Sequence, residues 1–154
     1  MAAAPPYVAV VGAGGTVAAD VLALAEAVGA QLAGRGAVVV TGGLGGVMEA
    51  ACRGARGVGG TTLGILPGAD RADANAYVDV AVATGMGELR NGLVVRCADA
   101  VIAVGGEYGT LSEIALALKA GKPVAGVETW EIDGVRAAGD AREAVAFVLG
   151  GAGV

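Results

Sequence analysis

Short apolar runs that end in glycine or proline alternate with amphipathic stretches along this chain, and few folds accept that alternation. Residues 7–11, 37–40, 61–66, 77–82, 100–104 and 124–127 read as strands built mainly of Val, Leu, Ile and Ala. Continuous apolar runs of this length fit strands covered on both faces, as in a parallel sheet. Between them, residues 17–33, 46–56, 88–98 and 110–120 carry helical patterns, and 140–149 closes the chain. In the first helix Val17, Val21, Leu24, Val28 and Leu32 share a stripe that leaves out Asp20, Glu26 and Gln31. The third helix is expected to bury Leu89, Leu93, Val94 and Cys97. Segments 69–76 and 130–139 read as surface connections. Repeated strand–helix units imply right-handed crossovers. The expected fold class is therefore α/β: one domain over residues 1–154, a three-layer, Rossmann-like, doubly wound parallel sheet. Residues 1–6 and 150–154 are expected to fray.

In such sheets ligands lie outside the carboxyl ends of the strands, where the strand order reverses. Two glycine turns fall there in nearly the same form. Gly42-Gly43-Leu44-Gly45-Gly46-Val47-Met48-Glu49 follows the second strand, and Gly105-Gly106-Glu107-Tyr108-Gly109-Thr110-Leu111-Ser112-Glu113 the fifth. Glycine lets a ligand approach the backbone closely. A helix starting behind such a turn aims free N–H groups and the positive end of its dipole at an anion. Gly12 to Gly15, Pro67-Gly68 and Thr84 to Gly87 reach the same rim. A phosphorylated small molecule is the expected partner.

Composition removes several alternatives. A net charge of −5 without any basic cluster argues against nucleic acid. The first 19 residues carry no charge, but they lack a basic start and are broken by Pro5-Pro6 and by glycines. They read as a strand and turn, not as a signal peptide, and the chain is expected to be cytoplasmic with no membrane partner. With no histidine and only Cys52 and Cys97, no metal site is expected. Both cysteines fall in apolar helical patterns and are expected to be buried thiols.

Familiar nucleotide signatures fit poorly. Gly12-Ala13-Gly14 opens a G-x-G-x-x-G motif, but Val17 stands at its third position, and no acidic residue ends the second strand. The Gly121-Lys122 pair is followed by Pro123, which excludes a P-loop. A Ser-His-Asp triad is impossible without histidine. Thr110-x-x-Glu113 has two readings: a capping box that satisfies the helix start, or part of a ligand cradle, which would explain the paired glycines. Arg90 sits just inside a helix behind the Gly85-Met86-Gly87 turn, as a solvated residue or a crevice residue. Asn91 beside it bonds either a ligand or the local backbone.

Gly-Gly-x-x-Gly-Thr-x-x-Glu at 105–113, Met86 with Arg90 upstream, and the earlier Gly42-to-Met48 element together resemble the LOG-like family. That group includes the Lonely Guy phosphoribohydrolases, long mislabelled as lysine decarboxylases, and the molybdenum-cofactor carrier proteins. The likeness spans residues 8 to about 127. Where the phosphoribohydrolases have proline before the paired glycines and lysine after the arginine, this chain has Val104 and Asn91. Those positions look closer to the carrier-like branch. For an enzyme, the resemblance implies hydrolysis of the N-glycosidic bond of a nucleoside 5′-monophosphate to free base and ribose 5-phosphate, with Arg90 and Glu113 as the catalytic pair. Glu113 would stabilise an oxocarbenium-like state, and Arg90 would orient phosphate or ribose. Gly12, Gly42, Gly43, Gly46, Met48, Glu49, Met86, Asn91, Gly105, Gly106, Gly109 and Thr110 would bind substrate and phosphate. No metal or redox cofactor is implied. For a carrier or sensor, the same cradle would hold molybdenum cofactor or a nucleotide without turnover. Family members assemble as dimers or larger, which implies a homodimer or a higher homo-oligomer here.

Overall fold

The computed structural model describes residues 3–150; the outermost residues of both segments expected to fray lie outside that range. Seven parallel strands form one sheet: β1 (Tyr7–Gly12), β2 (Val38–Thr41), β3 (Thr62–Leu66), β4 (Val80–Ala83), β5 (Ala100–Val104), β6 (Val124–Val127) and β7 (Arg136–Ala137). Their order is β4-β3-β2-β1-β5-β6-β7, so the Rossmann-like expectation holds. The chain winds outward from β1 to β4, then crosses back to lay β5 against β1. Val8 pairs with Ala100 and Gly12 with Val104, which puts the reversal of strand order at the ends of β1 and β5.

Alternate side chains of the central strands divide two cores. Val8, Val10, Ile102 and Val104 face α1 (Ala19–Gly34), α2 (Val47–Gly57) and α5 (Ala141–Val148). Ala9, Val11, Val101 and Ala103 face α3 (Arg90–Arg96) and α4 (Tyr108–Lys119). A sheet sandwiched this way needs apolar residues at every position, and β5 is buried throughout.

Three local expectations are corrected. β7 lies within 130–139, where only a connection was expected. It is two residues long and pairs with Ala125 and Gly126 of β6, too short to carry a pattern. In the third helix Val94 is buried as expected, but Leu89 is 76% exposed, and Leu93 and Cys97 are exposed as well. That helix turns Arg90, Val94 and Val95 inward, and its leucine stripe finds no cover among the described residues. Cys52 is a buried thiol, whereas Cys97 is not. No helix among the described residues is long and apolar enough to cross a membrane.

Lys122 fixes the carboxyl end of α3. Its ammonium donates to the carbonyls of Val95 (2.7 Å), Arg96 (3.2 Å) and Ala98 (2.6 Å). A cation here satisfies carbonyls left over by the helix and meets the negative end of its dipole. Lys122→Met keeps the stem but removes all three bonds. It is expected to cost about 1–3 kcal/mol, read as a lower urea midpoint with an unchanged slope.

Candidate functional site

At the strand-order reversal the rim opens into a small cleft of about 110 Å³. The turn after β1 supplies Gly12, Ala13 and Gly14; β2 and α2 supply Gly42 and Met48. Arg90 and Asn91 enter from α3, and Glu107, Gly109, Thr110 and Glu113 from the start of α4.

Arg90 is placed by the loop before it. Thr84 N–H and Oγ1 both donate to Leu66 O, Gly85 N–H to Gly68 O, and Gly87 N–H to Pro67 O. The loop thus hangs from the end of β3, and a single 3-10 turn (Gly87–Leu89) leads into α3. The guanidinium reaches back over β2, with Nη2 3.5 Å from Gly42 O. It closes tightly over Gly42, where a Cβ would stand 2.9 Å from Arg90 Cζ and 2.7 Å from Met48 Sδ and displace both side-chain ends. Arg90 is 9% exposed. Its Nη1 donates to Asn91 Oδ1, while its Nε is buried without a partner among the described residues.

Glu113 lies on the second turn of α4 and is 7% exposed. Neither ion pair among the described residues involves it; those are Arg53–Glu26 and Arg56–Asp79. Burial pushes its carboxyl up to about 7, against the pull of the Arg90 charge. Burial likewise lowers Arg90 from its ordinary value, with Glu113 opposing. A buried cation and carboxyl that sense each other without contact leave room for a third group. Strong perturbation inside a crevice marks functional candidates.

The helix start resolves the Thr110-x-x-Glu113 ambiguity. α4 begins at Tyr108, and Glu107 N–H donates to Thr110 Oγ1 at 3.2 Å. The cap is therefore Glu107 with Thr110, which leaves Glu113 free of any capping role. The amides of Tyr108 and Gly109, in the first turn, have no acceptor within the helix. Asn91 Nδ2 lies 3.4 Å from Ser112 Oγ, which donates to Gly109 O at 2.6 Å. This chain of bonds ties Arg90 to the amino end of α4. Ser112 was missed in the sequence because its role depends on a neighbour 21 residues away.

Six predicted site residues stand outside the cleft lining. Gly43 packs on Leu66, where a Cβ would meet Cδ2 at 2.6 Å, and Gly46 packs on Ala13 and Gly14. Glu49 is half-buried in the first turn of α2, and Met86 is exposed on the loop before α3. Gly105 and Gly106 line a separate groove beside Trp130. Ala13, Gly14 and Glu107 line the cleft in addition to the predicted set; the first two belong to a glycine turn visible in the sequence.

A doubly wound sheet with glycine turns, a helix amino end, a buried arginine and a buried carboxyl at its reversal point defines a Rossmann-like small-molecule-binding protein. The family model described as the SLOG cluster4 family matches residues 5–148, and the chain belongs to that family. A protein of Archaeoglobus fulgidus is 45% identical over 127 residues, covering 82% of this chain and 83% of the relative. Among solved structures, the molybdenum cofactor binding protein of Rippkaea orientalis is 34% identical with a TM-score of 0.89, covering 96% of this chain and 98% of its own. The molybdenum cofactor carrier protein of Chlamydomonas reinhardtii is 35% identical with a TM-score of 0.85, covering 95% and 97%. The LOG-like resemblance read from residues 42–48 and 105–113 holds along nearly the whole chain.

Proposed function

We propose that this chain holds a phosphorylated, nucleotide-like small molecule in the Arg90–Glu113 cleft and acts as its carrier or sensor. One observation carries the reading: Arg90 is buried with an unbonded Nε and no carboxylate in contact. Such a group is costly unless a ligand supplies the missing acceptor. An anion there would also meet the first amides of α4. The likeness to proteins named for binding or carrying molybdenum cofactor, over nearly all of both chains, supports a carrier and makes a pterin phosphate one candidate cargo.

A second reading, hydrolysis of a nucleoside 5′-monophosphate, is favoured by Glu113 alone. A carboxyl poised near neutrality suits general acid–base work. Both readings are tested by incubating the protein with nucleoside monophosphates, measuring binding by calorimetry and free base by chromatography. Saturable binding without base release is expected; release of base that depends on Glu113 would favour the hydrolase. No saturable binding of any phosphorylated compound would end both.

The uncovered leucines suggest assembly. Leu89, Leu93 and Leu116 are exposed with Tyr108 on one face of α3 and α4. Asn91 and Gly109 line both the cleft and a trough on that face. A second copy seated there, in the two-fold arrangement usual for soluble homo-oligomers, would cover the stripe and border the site. Leu93→Glu is expected to convert a dimer into a folded monomer by light scattering. A monomeric unmodified protein at micromolar concentration would overturn this pairing.

A further inference from the structure

The turn that leads into α4 has two flanks, and the function proposed above uses only one. On the other, Gly105 (φ 57°) and Gly106 (φ 142°) floor a groove of about 250 Å³ walled by Glu128, Thr129 and Trp130. Trp130 is the single tryptophan of the chain and is 39% exposed, so its ring is kept at the surface. It rests on bare backbone: a Cβ on Gly106 would stand 2.9 Å from its Cζ3. Thr129 Oγ1 is buried with no hydrogen-bond partner among the described residues, a costly state for a hydroxyl. Glu128 holds φ 51°, the one non-glycine residue at positive φ among the described residues. Strain of this kind clusters at ligand clamps.

The geometry points to a seat for a planar heterocycle, held over the Gly105–Gly106 backbone beside Trp130 with its N–H edge on the Glu128 carboxylate. Charge decides which end of a ligand belongs here. Glu128, Glu131 and Asp133 line the adjoining trough and repel phosphate, which leaves the anionic end to Arg90. An ionised carboxylate only accepts hydrogen bonds, so its two oxygens match two adjacent donors. The 2-amino-4-oxopyrimidine edge common to guanine and pterin presents such a pair. Adenine sets a ring-nitrogen lone pair beside its amino group and would meet repulsion. The chemical class is therefore a guanine or pterin phosphate, and the inference rests on the phosphate reading of the Arg90 cleft.

Because Trp130 is the only tryptophan, its emission reports the seat directly. Guanosine 5′-monophosphate, neopterin monophosphate, adenosine 5′-monophosphate and ribose 5-phosphate are titrated by fluorescence and calorimetry. Ribose 5-phosphate is expected to bind without moving the emission. The guanine or the pterin compound is expected to quench it saturably and bind at least about thirtyfold tighter, the low end of what stacking and a two-point edge contact give together. Whichever of the two binds tighter names the source. Glu128→Gly removes the carboxylate yet relieves the positive φ, so it is expected to lose that gain with an undiminished melting temperature. Ring compounds that bind no tighter than ribose 5-phosphate, leave the emission unmoved, or bind Glu128→Gly as tightly as the unmodified protein would overturn the seat. Ring compounds that quench while ribose 5-phosphate fails to bind would keep the seat and reject the phosphate reading. If nothing binds, both fall.

Discussion

Glu113→Gln is expected to make the protein more stable above pH 7 while removing the pH response of its cleft. The carboxyl stands at about 7 in the folded chain against an ordinary 4.5. A raised carboxyl contributes stability that is complete below pH 4.5 and lost as the pH climbs through 7, because the unfolded chain releases the proton first. The gap corresponds to a maximum on the order of 3 kcal/mol at pH 8. Glutamine carries no charge to bury, so urea denaturation is expected to show Glu113→Gln about 1–3 kcal/mol more stable than the unmodified protein at pH 8, with little difference at pH 4.5. Binding follows the same sign. Below pH 7 Glu113 is neutral, Arg90 acts alone, and anions bind tighter; above it the carboxylate competes for the guanidinium. Sulfate, whose charge is constant over this range, isolates the protein's share. Its affinity should fall as the pH rises through 7 in the unmodified protein and stay level in Glu113→Gln. Under the hydrolase reading the same substitution would cost about 10²–10³ in rate, by analogy with removal of a stabilising group. A variant less stable than its parent at pH 8 would show that the carboxylate is not the strained group described.

The rim of this fold was readable because its rules are local. Apolar runs with glycine behind them mark strand ends, and parallel topology gathers those ends on one side. Arg90 and Glu113 follow from that logic, since they sit in the first and second turns of helices behind such ends. The sequence did not reveal which glycines open onto the cleft and which only allow close packing. Gly42 and Gly43 are neighbours, yet one lies under Arg90 and the other against Leu66; that difference is set by β3 and α3, not by the turn itself. The third helix shows another limit. Leu89 and Leu93 keep core spacing but point away from this chain's core, and periodicity cannot tell an internal core from a partner's surface. The Trp130 groove was hidden for a third reason: its walls come from 105–106 and 128–130, joined only when β6 lies beside β5.

The same glycine-to-alanine change is expected to have opposite effects at two positions of the α1–α2 layer. Gly34 ends α1 with nothing within 4 Å of the place a Cβ would occupy. Alanine there should be neutral or add up to about 1 kcal/mol through helix propensity and a less free unfolded chain. Gly54 lies inside α2, where a Cβ would be driven into the carbonyl oxygen of Glu26 on α1. Gly29 makes the reciprocal approach, its Cβ position meeting the carbonyl of Ala51. The two helices therefore cross backbone to backbone, and neither neighbour is a side chain that can swing aside. Relief requires moving α1 off α2, which would also pull Val28, Leu32, Ala51 and Ala55 away from the β1–β2 face they help cover. Loosening that many buried groups outweighs any propensity gain. Gly54→Ala is expected to cost at least about 3 kcal/mol and Gly54→Val to abolish cooperative unfolding, as followed by circular dichroism against temperature. The Arg53–Glu26 pair at 3.2 Å cannot rescue it, since both partners are substantially exposed and such pairs contribute at most about 1 kcal/mol. Equal melting temperatures for Gly34→Ala and Gly54→Ala would mean that the crossing is looser than the carbonyl contacts require.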